Sequence, residues 1–420
     1  MRNNRLLRRI IAIGLTAVLL MSMCGCAKKY EKAVALAEPA SSGSGSGVEK
    51  LVADETFSEA YRSYALTMFR LAHEGVDNSF TVSPISVMLA LAMVENGASG
   101  ETLSQMEEMF GLPKDTMNRY LSTLIDKWSK DGGVKIANSI WIQDEIADSA
   151  KRSFLDVCSK CYRASVFKAP LDGSTVKDIN TWVSKNTDDM IPELLKEMTP
   201  GLRMLLVNTV LFDRNWAKPF DKAKTEKNAD FYGENGEKTG TVDLMCEKST
   251  GSYYRDDLCT SVHKYYEEYN NSFVVFQPRE GVSLETLIEA LTPEYLDKVY
   301  NYDNRKSAQV TLEMPRFTTD YRNDAMETIL RKMGMTAAFS GGLTEILDNR
   351  ELAIDFVIHQ VRVEVDEEGT RAAAATAVGL KEAAAAPIPE EITVRLDRPF
   401  VYMIMDDEIG IPLFIGTYEG

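Results

Sequence analysis

Residues 361–379, VRVEVDEEGTRAAAATAVG, open with Val361, Val363 and Val365 alternating against Arg362, Glu364 and Asp366. A period of two is the mark of a half-buried strand. At Glu367, Glu368 and Gly369 the alternation stops, and from Thr370 onward the chain is small, nearly uncharged and free of proline as far as Gly379. Such a segment can join a sheet as an extra strand without bringing in a large side chain. An alanine-rich helix or a plain linker would suit alanine's propensity but not Gly369 or the strand before it.

Working outward, residues 400–405 (FVYMIM) and 411–416 (IPLFIG) flank a short acidic turn and read as a hairpin, with Asp406 and Asp407 expected to be solvated in that turn. Residues 203–212, RMLLVNTVLF, form a nearly continuous apolar run, as expected of a strand covered on both faces. Residues 134–143 alternate like a strand, and strand-like sequence dominates 239–277. Helical spacing marks 57–69, 148–162, 176–195, 284–299 and 323–333. Ser83 and Pro84 form a helix start, serine capping free amides and proline preset at the first position. The helix they open, 85–94, is apolar on every side and too short to cross a bilayer, so it must be buried in protein. Helices come first and most strands later, which makes the class α+β.

At 420 residues and a net charge of −16, the chain has no basic stripe for nucleic acid. Arg2, Arg5, Arg8 and Arg9 precede an apolar run at 10–23, the layout of a secretory signal. The run ends in MSMCGC, where a cysteine directly after a small residue resembles a bacterial lipoprotein cleavage site. Cys26 behind Gly25 fits better than Cys24 behind Met23. The expected division is a signal peptide at 1–26, a flexible linker at 27–50 containing SSGSGSG, and one folded domain at 51–420. Lipidation at Cys26 would anchor an extracellular protein to the outer side of a membrane. Cys158 and Cys161 make a lone CxxC inside a helical pattern with no second pair or histidine nearby. Cys246 and Cys259 either pair across a hairpin or remain small buried thiols, and the latter is preferred.

Catalytic and cofactor motifs are missing from the sequence. His73, His263 and His359 form no HExxH, there is no GxGxxG after a strand, no GKS/T loop and no GxSxG elbow. No metal, no cofactor and no enzymatic activity are expected. His359 sits in the strand that leads to the alanine run, where a hydrogen-bonded core residue is the plain reading.

Five segments in order, NSFTVSPISVMLALAMVENGASGET (78–102), NTVLFDRNWAKPF (208–220), EMPRF (313–317), DEEGTRAAAATAV (366–378) and RPFVYMI with PLFIGTY (398–404 and 412–418), resemble the serpins, loop-inserting serine protease inhibitors. The resemblance implies a large central mixed sheet with smaller sheets, about eight or nine helices, and an exposed reactive loop at about 368–394. It implies a monomeric suicide substrate: a protease acylates the loop, and the cut loop enters the central sheet. The hinge would be Glu367, Glu368, Gly369, Thr370, Ala372, Ala373, Ala374 and Ala375. Thr370, Ala372, Ala374 and Thr376 share one small-residue face, and Arg371 falls on the other. Ser83, Ser86, Asn208 and His359 match the family's polar cluster beneath the parting strands, and Trp216 matches the tryptophan where insertion begins.

Counting forward along the hinge puts the reactive bond at Ala383–Ala384, whereas counting back from Pro399 gives a point near Ile388. A proline within the inserted strand would remove a ladder bond, which favours the first, with bonds after Ala384 or Ala385 as alternatives. Alanine before the bond fits a small specificity pocket of the elastase type. A cysteine or subtilisin-like protease is an alternative target, a non-inhibitory binding module an alternative function, and a solute-binding lipoprotein an alternative class.

Overall fold

Pro84–Glu95 is a helix whose every residue is buried. It is wrapped by protein because its apolar side chains point all round, and burying Ile85, Met88, Leu89, Leu91, Met93 and Val94 alone contributes on the order of 10 kcal/mol before entropy is counted. Pro84 opens it as expected, but the Ser83 hydroxyl does not cap it. That hydroxyl donates instead to the carbonyl of Leu413 at 2.9 Å, a partner brought by the neighbouring strand Ile411–Tyr418.

The computed structural model describes residues 30–40, 49–323, 325–355, 357–370 and 390–420. The expectations for Cys26, for Arg371, Ala372, Ala373, Ala374, Ala375 and Thr376, and for the bond between Ala383 and Ala384 lie outside these residues. Ten α-helices and four sheets occur among the described residues.

The central sheet is present as two four-stranded halves. In one, Val34–Ala37, Ser165–Ala169, Val134–Gln143 and Met204–Phe212 lie side by side in that order. In the other the order is Phe317–Asn323, His359–Val365, Gly369–Thr370 and Arg214–Asn215. The halves are continuous through one chain, because Met204–Phe212 runs on past Asp213 into Arg214–Asn215. At the other end of that strand, Leu206 forms an isolated parallel bridge to Val357. Met204–Phe212 and His359–Val365 therefore touch at one pole and are held apart at the other by Gly369–Thr370, which pairs antiparallel with both sides: Gly369 with Asn215, and Thr370 with Arg214 and Val365.

A nine-stranded sheet packs behind, with Asn271–Pro278, Phe400–Asp406 and Ile411–Tyr418 at its buried centre. The hairpin expected at 400–416 is this central pair.

Three further expectations are corrected. Asp406 is buried, not solvated. It ends a strand and accepts from Trp128 Nε1 at 2.8 Å and Lys127 Nζ at 3.0 Å. Asp407 accepts from Ser272 Oγ at 2.7 Å, and burial pushes its carboxyl up to about 6. The helix expected over 176–195 stops at Asn186, since Asp188 and Asp189 take positive φ and Asn180 Oδ1 accepts the Leu194 and Leu195 amides at 2.9 Å. Residues 30–40, expected as tether, contribute Val34–Ala37 to the edge of the central sheet, Val34 opposite Lys168 and Ala37 opposite Val166.

Candidate functional site: the hinge and the strands it separates

Trp216 is the organising residue at the open pole. It follows Arg214–Asn215 directly and is 1% exposed. Its indole Nε1 donates to the carbonyl of Asp366 at 2.9 Å, and its backbone N–H donates to Glu368 at 2.8 Å. Tyr266 stacks on the indole, with ring centroids 4.4 Å apart and planes 15° from parallel, and its hydroxyl lies 2.6 Å from Thr370 Oγ1. One aromatic pair thus holds the alternate residues Asp366, Glu368 and Thr370 along the turn into the hinge.

The turn before the hinge is set by Asp366, whose carboxylate accepts the amides of Glu368 at 2.8 Å and Gly369 at 3.1 Å. This local bond explains why the valine alternation ends where it does. Glu367 is buried, accepting from Thr225 Oγ1 at 2.9 Å while Phe220 N–H donates to its carbonyl at 2.8 Å. Glu368 points outward to Lys222, 2.6 Å away. Gly369 has no room for a side chain, because a Cβ there would stand 2.2 Å from the carbonyl oxygen of Arg214. Beneath Trp216 lies a buried ion pair, Lys264 with Glu247. The ammonium also donates to Lys218 O at 2.8 Å and sits 5.1 Å from the Trp216 ring and 4.1 Å from that of Phe220. Burial lowers the Lys264 pKa against the opposing pull of Glu247.

Further down, Ser83, Ser86, Asn208 and His359 fall into two hydrogen-bonded groups. His359 Nε2 accepts the Ser83 amide at 3.1 Å, and burial lowers the imidazole pKa to about 4, leaving a neutral acceptor at ordinary pH. Ser86 Oγ donates to Asn208 Oδ1, whose amide in turn donates to Asn138 Oδ1, and Asn138 Nδ2 reaches Tyr162 O at 2.8 Å. The chain of bonds joins the buried helix Pro84–Glu95 to the strands Met204–Phe212 and Val134–Gln143.

These geometric features meet a family model described as "Serpin (serine protease inhibitor)", which matches residues 59–419. The chain belongs to the serpin family. It is similar to serpin B6 of Pongo abelii, 32% identical over 87% of this chain and 99% of that relative, and to a leukocyte elastase inhibitor of Equus caballus, 31% identical over 87% of this chain and 99% of that one. Among solved structures, a thermophilic serpin, tengpin, in the native state superposes with a TM-score of 0.80, at 32% identity over 93% of this chain and 100% of that one. The fold is the serpin fold, and serpins are typically protease inhibitors.

In serpin terms the structure brings together Glu367, Glu368, Gly369, Thr370 and Trp216 at one pole, and Ser83, Ser86, Asn208 and His359 at the middle. Sequence reading missed Tyr266, Lys264, Glu247 and Asn138. Asn138 sits in the alternating strand 134–143, so an asparagine among apolar neighbours was its one signal. Tyr266 and Lys264 come from a distant hairpin with no pattern that points to Thr370. The CxxC cysteines are buried in the helix Arg152–Tyr162, and burial pushes the Cys161 thiol up to about 11. Cys246 and Cys259 are both free.

Proposed function

We propose that this serpin is a suicide-substrate inhibitor of serine proteases with a small primary specificity pocket, the elastase type foremost. The observation that carries the proposal is the seat of Thr370: a small residue, 1% exposed and paired on both sides between two strand edges whose one other bridge among the described residues is Leu206 with Val357. In this reading the protease serine attacks the Ala383 carbonyl, the bond to Ala384 breaks, and the new amine takes the proton as the acyl ester forms. The freed strand then continues from Thr370 down the cleft. From Thr370 to Ala383 an extended chain covers roughly 43 Å, and the strand run from Asn215 to Met204 roughly 36 Å. The lengths match closely enough for the acylated end to be drawn to the far pole. Each ladder bond contributes about 1 kcal/mol net, so insertion gains on the order of 10 kcal/mol.

The target class rests on the alanines at 383–386 and is strengthened by the likeness to the equine leukocyte elastase inhibitor. In the same reading the protein is a monomer, extracellular, and held to the outer membrane face by a lipid at Cys26. Incubation with a pancreatic or leukocyte elastase tests the proposal: a complex that survives denaturing electrophoresis, with the loop cut after Ala383, is expected. Complete cleavage without any such complex would favour a non-inhibitory binding module instead.

A further inference from the structure

Two neighbouring strands of the nine-stranded sheet part beside the hinge. Lys238–Arg255 pairs with Cys259–Tyr265 only from Arg255 opposite Thr260 to Tyr253 opposite Val262. Beyond that point Ser249 lies opposite Val310 and Glu247 opposite Leu312 on the strand Lys306–Pro315, while Tyr265 stays opposite Ser272 on the strand Asn271–Pro278. Residues 248–252 and 263–265 are therefore each paired along one edge, and among the described residues no strand lies between their facing edges. The wide end of the gap is closed by the chain that carries Trp216. Trp216 bridges to Tyr266, the Ala217 N–H donates to Tyr265 O at 3.0 Å, and Lys218 Nζ reaches across to Lys248 O at 2.7 Å.

The gap opens into a cavity of about 200 Å³. Val262, Val310 and Leu312, all buried, make an apolar floor, and Ser249 and Gly251 line one side. Strand alternation puts Gly251 on the same face as Ser249. A Cβ on Gly251 would meet no atom within 4 Å, so a side chain there has room to grow into the cavity. At the mouth stand Tyr265 and Tyr269, 37% and 59% exposed, with ring centroids 5.8 Å apart. The space suits one ring with a short arm, since drug-sized molecules take about 300 Å³ or more.

The ionic lining is unbalanced. Lys264 and Lys218 both turn to one carboxylate, that of Glu247, with Lys218 at 3.4 Å. Neighbouring charges are engaged elsewhere: Lys248 with Glu391 at 3.0 Å, Glu268 with Arg214 at 3.7 Å, and Glu267 with the Asn215 amide at 3.3 Å. One surplus positive charge is thus left at the cavity of a chain whose net charge is −16. Lys218 is largely exposed, and its long stem lets the ammonium turn to a new anion.

We propose that this gap is a binding site for a small aromatic carboxylate, its ring seated on Val262, Val310 and Leu312 and its carboxylate held by Lys218 and the amides of the open strand edge. Each part of such a molecule finds its complement: apolar floor for the ring, charge-assisted bonds for the acid, and unpaired backbone groups beside it. The site holds whatever the reactive loop does with a protease. It adjoins the hinge through Lys264, whose ammonium is 5.1 Å from the Trp216 ring.

Titration calorimetry of the full chain with 3-phenylpropionate tests the site. One molecule per chain is expected to bind, and 3-phenylpropan-1-ol, which has the ring but no anion, should bind at least about tenfold more weakly. Gly251→Leu fills the cavity and should abolish binding while circular dichroism and the melting temperature stay those of the parent. Lys218→Met keeps the stem without the charge, and should weaken the acid about tenfold but leave the alcohol unchanged. Absence of saturable heat, equal affinity for acid and alcohol, or binding that survives Gly251→Leu in a folded variant overturns the proposal. Should Gly251→Leu fail to fold, the exposed Lys218→Met decides, because undiminished binding of the acid there also overturns it.

Discussion

Glu95 shows how a single side chain can set a pH dependence. It closes the all-buried helix Pro84–Glu95, is 0% exposed, and neither carboxylate oxygen has a hydrogen-bond partner among the described residues. Burial, with Glu107 nearby, pushes its carboxyl up to about 8. The unfolded chain releases this proton near pH 4.5, so from about pH 4.5 to 8 the folded state holds the extra proton and stability falls as pH rises. At pH 7 the penalty is roughly 3 kcal/mol. Glu95→Gln keeps the shape without the charge, so its melting temperature should exceed that of the parent at pH 8 and approach it at pH 4.5. An unchanged pH slope would show that Glu95 is not the group responsible. Glu95 carried no sequence signal beyond its place at the end of an apolar run, whereas His359 and Ser83 were legible through a resemblance that spans the whole domain. Asp406 and Asp407 misled for a local reason: two acids in a short turn look solvated, and only the distant Trp128, Lys127 and Ser272 reveal that Asp406 is buried and Asp407 partly so.

At the scale of the element, the hinge is defined by what its residues lack. Thr370 is small enough to sit between Arg214 and Val365 with its hydroxyl on Tyr266, and Gly369 cannot carry a Cβ without striking Arg214 O. Thr370→Arg would bury an unpaired charge and lose the Tyr266 bond, a penalty of several kcal/mol that the strand escapes by staying outside the sheet. The variant is expected to be cut by the target protease as an ordinary substrate, with a stoichiometry of inhibition at least tenfold higher. An unaltered stoichiometry would reject the hinge assignment. The flanking strand was readable because period-two alternation is a local signal, and its observed extent, His359–Val365, follows the valines. The strand Val34–Ala37 was not readable, since VALA has no alternation and its place depends on amides that meet Asp178 from the far side of the sheet. The helix at 176–195 was overextended because apolar spacing continues past Asn186 while the backbone turns.

For the whole molecule, the decisive property is a central sheet that is complete at one pole and parted at the other. Among the described residues, Met204–Phe212 and the chain just before His359–Val365 share one bridge, Leu206 with Val357, and the short Gly369–Thr370 pair occupies the opening at the other pole. Filling the cleft adds ladder bonds on both sides, so cleavage of the loop near Ala383 should raise the thermal midpoint by tens of degrees relative to the intact protein. Calorimetry before and after limited proteolysis checks this. A midpoint that stays level or falls would mean that the cut loop remains outside. The five matching segments made this architecture legible from sequence, but the separation of the halves was not, because it is a property of strands distant in the chain and of the two residues between them.

Starting a new strand is the slow part of building one, since the first pairing fixes several torsions for few bonds while each later residue adds its own. In the proposed mechanism, Thr370, already paired on both flanks, would supply that nucleus before any protease arrives. On that mechanism, growth from Thr370 would be elongation of an existing strand, limited by how fast the sheet yields rather than by the search for a first contact.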